Sequence, residues 1–591
     1  MTPPRWAAHK GATTAGRQSR FRGVPARAGT AFAVALALVA CGGRPDAGAS
    51  LPRLAAAQPG TLQHCADLAR GALPAGTRLT RVEPVPAGTV QAGGAPVVVP
   101  GHCLVQGQLN ERTSPVDGQR YAIGFELRLP DAWNGRFLHQ VNGGLDGAVV
   151  PAMGQIGGGA PTHTALQQGF AVVSSDAGHS GAQNPRFGLD PQARLDYGYT
   201  AVAQLTPVAK QLIASAYGRG PDRSYIAGCS NGGRHAMVAA ARLPGEYDGV
   251  LAGNPGFQLP RAAVAQLWGA QQYARIATGR TPAGLPDLQT AVTPQELGFV
   301  ADRIRARCDA LDGATDGIVG DVQACQKQFD FARDVPACTG ERNGQCLTTA
   351  QKDTLARVFA GARDSRGQAL YSAFPVDPGL SGQDWRDWKL ASPGTRDAAA
   401  VAFIFSTPPL ADRAQGLPFA LGFDMDRDAP RIAATDGPYG TSALDFMRPP
   451  AGDLSALRNR GAKMIVYHGT GDGVFSALDT ARWWSELDTA QRGRAAAFAR
   501  YYPVPAMNHC RGGPATDQFD LLSPLVAWVE QGQAPVAVTA SARGAGTPVP
   551  NPEVPAAWSP QRSRPLCPFP QVARYRGGDV ERADSFACAP P

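Results

Sequence analysis

The stretch that most restricts what this chain can fold into is SYIAG, residues 224–228, followed by Cys229-Ser230-Asn231-Gly232 and then by GRHAMVAAARL and YDGVLAGNP. It reads as strand, sharp turn, helix, strand, the repeating unit of a parallel sheet. The turn has the pattern Gly-x-Ser-x-Gly. Glycines let the backbones come close there, and the helix start behind the serine favours negative charge developing beside it. In a chain with 70 glycines the motif alone says little, and its place between a strand and a helix is what gives it meaning.

The same rhythm extends in both directions. YAIGFELRLP and RFLHQVNGG are strand-like and end in turn residues, and 200–217 has helical length. KMIVYHG at 463–469 and AFARYYPVP at 497–505 return to strand character, followed by the amphipathic DLLSPLVAWVEQG. Between Pro255 and about Pro450 the rhythm is replaced by Gly/Pro turns, four cysteines and scattered aromatics. The expected fold is therefore α/β, an α/β-hydrolase fold with a large inserted lid domain. Its first part is 61–254, the insertion 255–450 and its second part 451–591. An insertion placed there lies over the carboxyl ends of the strands, where such sheets bind ligands.

A serine hydroxyl needs a base to take its proton, and the base needs a third group to fix its tautomer. The order Ser, Asp, His suits this fold. Asp472 in HGTGDGVF and His509 in MNHC each follow a strand, so Ser230, Asp472 and His509 are the candidate catalytic set. His468, His235 and His179 are rival bases. For the oxyanion, the main chain of Asn231 offers one N–H, and Asn142-Gly143-Gly144 offers a second, with Gly143 slightly favoured over Gly144. Cys229 precedes Ser230 and Cys510 follows His509, so contact between nucleophile and base would bring the two sulfurs within bridging reach. On spacing alone, pairing of each elsewhere stays open.

The basic excess does not indicate a nucleic-acid partner. Arg5, Lys10, Arg17, Arg20, Arg22 and Arg27 fall in the first forty residues with no acid among them, and setting these six aside from the formal +8 leaves +2. That basic segment runs into AFAVALALVA at 31–40, too short to span a bilayer and suited to an export signal over 1–40. Leu38-Val39-Ala40-Cys41 resembles a lipobox, with Cys41 as the lipidated residue and 41–60 as a tether; a plain secretory signal cut nearby is the alternative. An exported protein is expected, either a cell-envelope lipoprotein or one secreted or periplasmic, with membrane contact only through such an anchor. Apart from Cys41 ten cysteines remain: Cys65, Cys103, Cys229, Cys308, Cys325, Cys338, Cys346, Cys510, Cys567 and Cys588. An even set without a CxxC pair fits disulfides in an oxidising compartment. Cys308 with Cys325, Cys338 with Cys346, and Cys567 with Cys588 are natural local loops, although sequence does not fix connectivity.

Cys229-Ser230, Asp472 and His509-Cys510, together with WNGRFLHQ, GCSNGGR and HGTGD, resemble the tannase and feruloyl esterase family over most of the chain after about residue 60. The resemblance implies hydrolysis of an aromatic carboxylic ester through an acyl-enzyme, with no organic cofactor and a small-molecule aromatic ester as partner. The cysteine set is similar to that of the mono(2-hydroxyethyl) terephthalate hydrolase branch, which implies five bridges: Cys65 with Cys103, Cys229 with Cys510, Cys308 with Cys325, Cys338 with Cys346 and Cys567 with Cys588. From residues alone, CDALDGATDGI at 308–318 is as readily a solvated acidic turn as a cation site. The resemblance implies structural calcium at Asp309, Asp312 and Asp316 with the carbonyls of Ala314 and Ile318. Trp385, Trp388, Phe403, Phe405 and Ser406 are the candidate substrate contacts, burial in the inserted domain's own core being the default for such aromatics. The terephthalate branch implies an arginine just before FIFS, where Val401 and Ala402 stand instead. Terephthalate monoester hydrolysis is therefore the alternative substrate reading. A non-catalytic aromatic-ligand-binding lipoprotein is the alternative from another class, and a serine peptidase a weaker one.

Overall fold

In the computed structural model the described residues are 51–591, except 93–94, 155–157, 159–162, 414 and 451. The expected signal over 1–40 and Cys41 lie outside them. A nine-stranded sheet organises the chain. Its strands are β1 (Thr77–Val85), β2 (His102–Thr113), β3 (Arg120–Pro130), β4 (Arg136–Gln140), β5 (Ala171–Ser175), β6 (Arg223–Cys229), β7 (Gly249–Gly253), β8 (Lys463–Gly469) and β9 (Ala499–Val504). Across the sheet the order is β9-β8-β7-β6-β4-β5-β3-β2-β1. Pairing is parallel from β9 to β5 and antiparallel from β5 to β1. At the antiparallel edge a disulfide between Cys65 and Cys103, with Cα atoms 5.6 Å apart, fastens the segment before β1 to the start of β2.

The parallel strands are largely buried because both faces are covered, and their apolar residues divide with period two. Ile226, Val250, Ala252, Met464 and Val466 enter one layer with residues of α1 (Ala201–Tyr217), α2 (Asn231–Arg242) and α6 (Ala477–Ala490). Tyr225, Ala227, Leu251, Ile465 and Tyr467 enter the other with Leu522, Leu525, Trp528 and Val529 of α7 (Leu522–Gln531). Both α1 and α7 end on a left-handed glycine, Gly218 and Gly532, which closes a helix without a Cβ clash.

Residues 255–450 are mostly helical and share a third core, which includes α3 (Leu259–Ala274), α4 (Pro294–Cys308) and α5 (Thr349–Phe359). Capping boxes start two of these helices, Thr293 with Glu296 and Thr348 with Gln351. Val474 and Phe475, just beyond β8, belong to the same core. This segment thereby packs onto the carboxyl ends of the strands. The chain leaves β4 for β5 on one side and returns to β6 on the other, a topological switch, and the loops after β4 and β6 face each other across it.

Candidate active site

Ser230 directly follows β6, with φ 66° and ψ −127°. A non-glycine residue there carries strain of ~1–3 kcal/mol and must be held by its surroundings. Its N–H donates to the Gly253 carbonyl at 3.0 Å, and its carbonyl accepts from Arg234 N at 3.0 Å and Gly256 N at 3.2 Å. The elbow can pack this tightly because its neighbours lack side chains. A Cβ on Gly228 or Gly232 would strike the Val141 carbonyl, and one on Gly233 the Gly253 carbonyl.

The loops after β8 and β9 bring the other two residues to the serine. His509 Nε2 lies 2.7 Å from Ser230 Oγ, and His509 Nδ1 lies 2.8 Å from Asp472 Oδ2. Asp472 is buried but richly bonded: Oδ1 accepts from Val474 N at 2.8 Å and Phe475 N at 3.0 Å, and Oδ2 from Asn254 Nδ2 at 2.7 Å. Burial alone would raise its pKa; His509, then His468, outweigh that and hold the carboxyl well below the usual carboxylate range. The His509 imidazole is lowered by burial and raised more by Asp472, ending above its ordinary value. Edge-on Trp388 and Phe475 rings at 5.1 Å and 5.3 Å flank it, and the His509 backbone N–H donates to Asp384 Oδ2 at 3.0 Å. A Cys229–Cys510 disulfide joins the two loops beside the reacting groups, its Cα atoms 6.1 Å apart. Besides this bridge and Cys65–Cys103, the described residues hold Cys308–Cys325, Cys338–Cys346 and Cys567–Cys588, so all five pairings implied by the resemblance are present.

The rival histidines have other employment. His468 Nε2 lies 3.2 Å from Asp472 Oδ2, with Thr480 on its Nδ1, so it buttresses the carboxylate. His179 is stacked on Phe187 at 3.7 Å. His235 sits in a buried network under the elbow: its Nε2 meets Asp146 Oδ2 at 3.0 Å, and Asn231 Nδ2 donates to the same oxygen at 2.8 Å. Arg234 Nε donates to Asn231 Oδ1 at 2.6 Å. Burial, then Arg234, lowers the His235 pKa well below its ordinary value.

That network also touches the two expected amide donors, Gly143 and Asn231. Asp146 N donates to the Gly143 carbonyl at 3.3 Å, so the loop after β4 is tied through Asp146 to the first turn of α2. Gly143 lies against the serine: a Cβ on it would stand 3.6 Å from Ser230 Cβ and 3.9 Å from Oγ. Gly144 (φ 68°) follows, its carbonyl accepting from Tyr197 OH at 3.2 Å. Asn231 opens α2, where an N–H has no partner within the helix. No motif announced Asp146 or His235, because their partners come from separate segments.

Ser230 opens onto a narrow cleft whose walls include Gly144, Asn231, Leu259, Trp388, Phe405 and Phe475. Of the expected substrate contacts, Trp388 and Phe405 line it; Trp385, Phe403 and Ser406 do not, and that expectation is corrected. Trp385 stacks on Phe359 at 6.0 Å, Phe403 is buried with the Arg186 guanidinium over its ring at 5.9 Å, and the Ser406 carbonyl accepts from Arg194 at 2.8 Å. These three residues serve the packing of the inserted segment. The walls also include Arg396 and Asp397, which sequence reasoning passed over. The Arg396 guanidinium lies 4.5 Å from the Trp388 ring centroid, about one helical turn before Val401, where the resemblance implied a cation.

In the 309–318 loop each acid caps backbone amides: Asp309 takes Asp316 N and Gly317 N, Asp312 takes Ala314 N and Gly320 N, and Asp316 takes Ile318 N while pairing with Arg564. Among the described residues no three acidic, His or Cys side chains converge as metal ligands. The acids are nonetheless mutually close. Burial first, then Asp316 and Asp309, pushes the Asp312 carboxyl up to about 7.

Residues 103–589 match the family described as tannase and feruloyl esterase. The chain is 41% identical over 539 residues to the mono(2-hydroxyethyl) terephthalate hydrolase of Piscinibacter sakaiensis, covering 85% of this chain and 87% of that relative. It is 28% identical to a probable feruloyl esterase B-2 of Aspergillus flavus, over 71% of this chain and 77% of the relative. Among solved structures, feruloyl esterase B from Aspergillus oryzae superposes with a TM-score of 0.71 at 25% identity, over 89% of this chain and 99% of that one. The sheet and its helices are those of an α/β-hydrolase.

Proposed function

Because the chain belongs to the tannase and feruloyl esterase family and is a carboxylic ester hydrolase, we propose that it hydrolyses esters of aromatic carboxylic acids through an acyl-enzyme on Ser230. The observation that carries this reading is the unbroken relay from Ser230 Oγ to His509 Nε2 at 2.7 Å and from His509 Nδ1 to Asp472 Oδ2 at 2.8 Å, facing a cavity walled by aromatic rings. Ser230 Oγ attacks the ester carbonyl while His509 Nε2 takes its proton, and Asp472 holds the tautomer and steadies the imidazolium. The amides of Asn231 and Gly143 receive the oxyanion. Collapse expels the alcohol, protonated by His509, and water then repeats the sequence on the acyl-serine.

Trp388, Phe405 and Phe475 give a flat apolar lining suited to an aryl acyl group. Feruloyl and galloyl esters, and the terephthalate monoester of the Piscinibacter sakaiensis relative, are the acyl groups to compare. The test is turnover of methyl ferulate, methyl gallate and mono(2-hydroxyethyl) terephthalate by the mature protein, with Ser230→Ala in parallel. Activity lost in the variant is expected. Equal rates with and without Ser230 would remove the mechanism, and ligand binding without turnover would favour the non-catalytic binder.

The disulfides fit an exported protein, with Cys41 as the site of lipidation. Calcium would be held by Asp309, Asp312 and Asp316 with the carbonyls of Ala314 and Ile318, and would stiffen the inserted segment. A chelator should then lower the melting temperature, calcium restoring it; no shift would remove the assignment.

A further inference from the structure

The inserted segment is laced to both loops that carry the acid and base of the relay. Thr470 Oγ1 donates to Asp377 Oδ2 at 2.6 Å, and Asn508 Nδ2 donates to the Gly379 and Gly471 carbonyls, each at 2.9 Å. A Cβ on Gly473 would stand 3.0 Å from Trp385 Cα. Within this lacing lies one helical turn, Gln383–Arg386, from which Asp384 offers both carboxylate oxygens to N–H groups of the site. Its Oδ2 accepts from the His509 backbone N–H at 3.0 Å and its Oδ1 from Trp388 Nε1 at 3.1 Å. An ionised carboxylate is acceptor-only and serves both donors at once, whereas an amide there would turn its NH2 toward one of them.

Asp384 also bears on the ring. Burial lowers the His509 imidazole, Asp472 and then Asp384 raise it, and Arg396 opposes them; Lys389 and His468 bear on Asp472. Burial pushes the Asp384 carboxyl itself up to about 6, against the pull of His509. The imidazole ends above its ordinary value, so wherever it is neutral and able to take the serine proton, this carboxyl is ionised. We propose that Asp384 is a positioning residue for the base, its carboxylate fixing the main chain of His509 and adding a second negative charge near the imidazolium that forms as Ser230 attacks. The inference rests on the ester-hydrolase reading of Ser230 and His509, and gives the inserted segment a part in the chemistry.

The test is the pH profile of Ser230 labelling by a fluorophosphonate, a probe that needs the relay but no particular acyl ring. It uses the full mature protein, Asp384→Asn and Asp384→Ala. In Asp384→Asn, which keeps one acceptor oxygen and loses the charge, the ascending limb should move to lower pH by about half a pH unit or more. Asp384→Ala should show the same displacement with a plateau rate lower by about tenfold or more, because the His509 amide loses its acceptor and the base loosens. The midpoint of the limb does not depend on the folded fraction, which melting temperatures report separately. A midpoint unmoved in Asp384→Asn, or an undiminished plateau in Asp384→Ala, would overturn the proposal. A wild type that the probe fails to label would strike the ester-hydrolase reading first, and this inference with it.

Discussion

Replacing Cys229 and Cys510 together by serine separates what the bridge does for stability from what it does for catalysis. The two residues are 281 positions apart. Closing so long a loop in the unfolded chain is worth roughly 5–6 kcal/mol in the chain-entropy treatment, and the two small bridges inside the loop change this little because the dependence is logarithmic. Spread over roughly 540 residues, with a melting entropy of ~1.1 kcal/mol/K, that corresponds to a fall in Tm of ~5 °C. The catalytic effect has a different origin. Cys510 is held at φ 65°, and without its sulfur the His509 loop keeps the Asp384 contact to its amide and the Asp472 contact to its ring. A displacement of ~1 Å at the imidazole is enough for about a hundredfold loss. Scanning calorimetry and steady-state kinetics well below the melting point should show a lowered Tm together with a kcat reduced by roughly ten- to a hundredfold and a smaller change in KM. A lowered Tm with unchanged kcat would refute the argument that the bridge holds nucleophile and base in register, leaving Asp472 and Asp384 sufficient. An unchanged Tm would refute the entropic reasoning.

Asp472→Asn should lower kcat by about 10⁴-fold with little change in fold, since the amide can favour the wrong tautomer; circular dichroism and steady-state kinetics check both halves. His509 must be neutral to accept the serine proton, so kcat/KM should rise with pH through a pKa above the usual imidazole range, and a pH profile should find that limb displaced downward when Asp472 is neutralised. His235→Phe removes a partner of Asp146 Oδ2 and should reduce kcat about tenfold with KM nearly constant; a KM effect alone would argue against a role in spacing the amide donors. Gly233→Ala should cost ~1–3 kcal/mol, read as a fall in Tm, because its methyl group meets the Gly253 carbonyl rather than a yielding side chain.

The parts of this fold that sequence displayed are those whose signal is local. β8 is KMIVYHG in both readings, and β6, the Ser230 turn and α2 follow directly from apolar runs interrupted by glycine. The antiparallel edge was harder to read. β1 is half-exposed and contains Pro84, and β5 is only AVVSS, so neither has the length or alternation that marks a strand. At the site, Ser230, Asp472 and His509 were legible because each sits at a strand end in a fixed order. Trp385 and Trp388 were not separable by type: three residues apart, one packs on Phe359 and the other faces His509. Cys65 and Cys103 likewise carry no local sign of pairing, since the bridge between them depends on where the segment before β1 meets β2. Arg396 and Asp397 have no motif. Their significance comes from the turn of helix that places them on the cavity wall.

This division has a physical basis that extends to specificity. Loops at the carboxyl ends of β4, β6, β8 and β9 supply Gly143, Ser230, Asp472 and His509, and their geometry is fixed by backbone contacts too tight for a Cβ and by a buried carboxylate with several donors. Little can vary there without losing the relay. The opposite wall, formed by Leu259, Trp388, Arg396, Asp397, Ala400 and Phe405, comes from helices that carry none of the three relay residues. A substitution on that wall changes what the cavity accepts while the relay keeps its form.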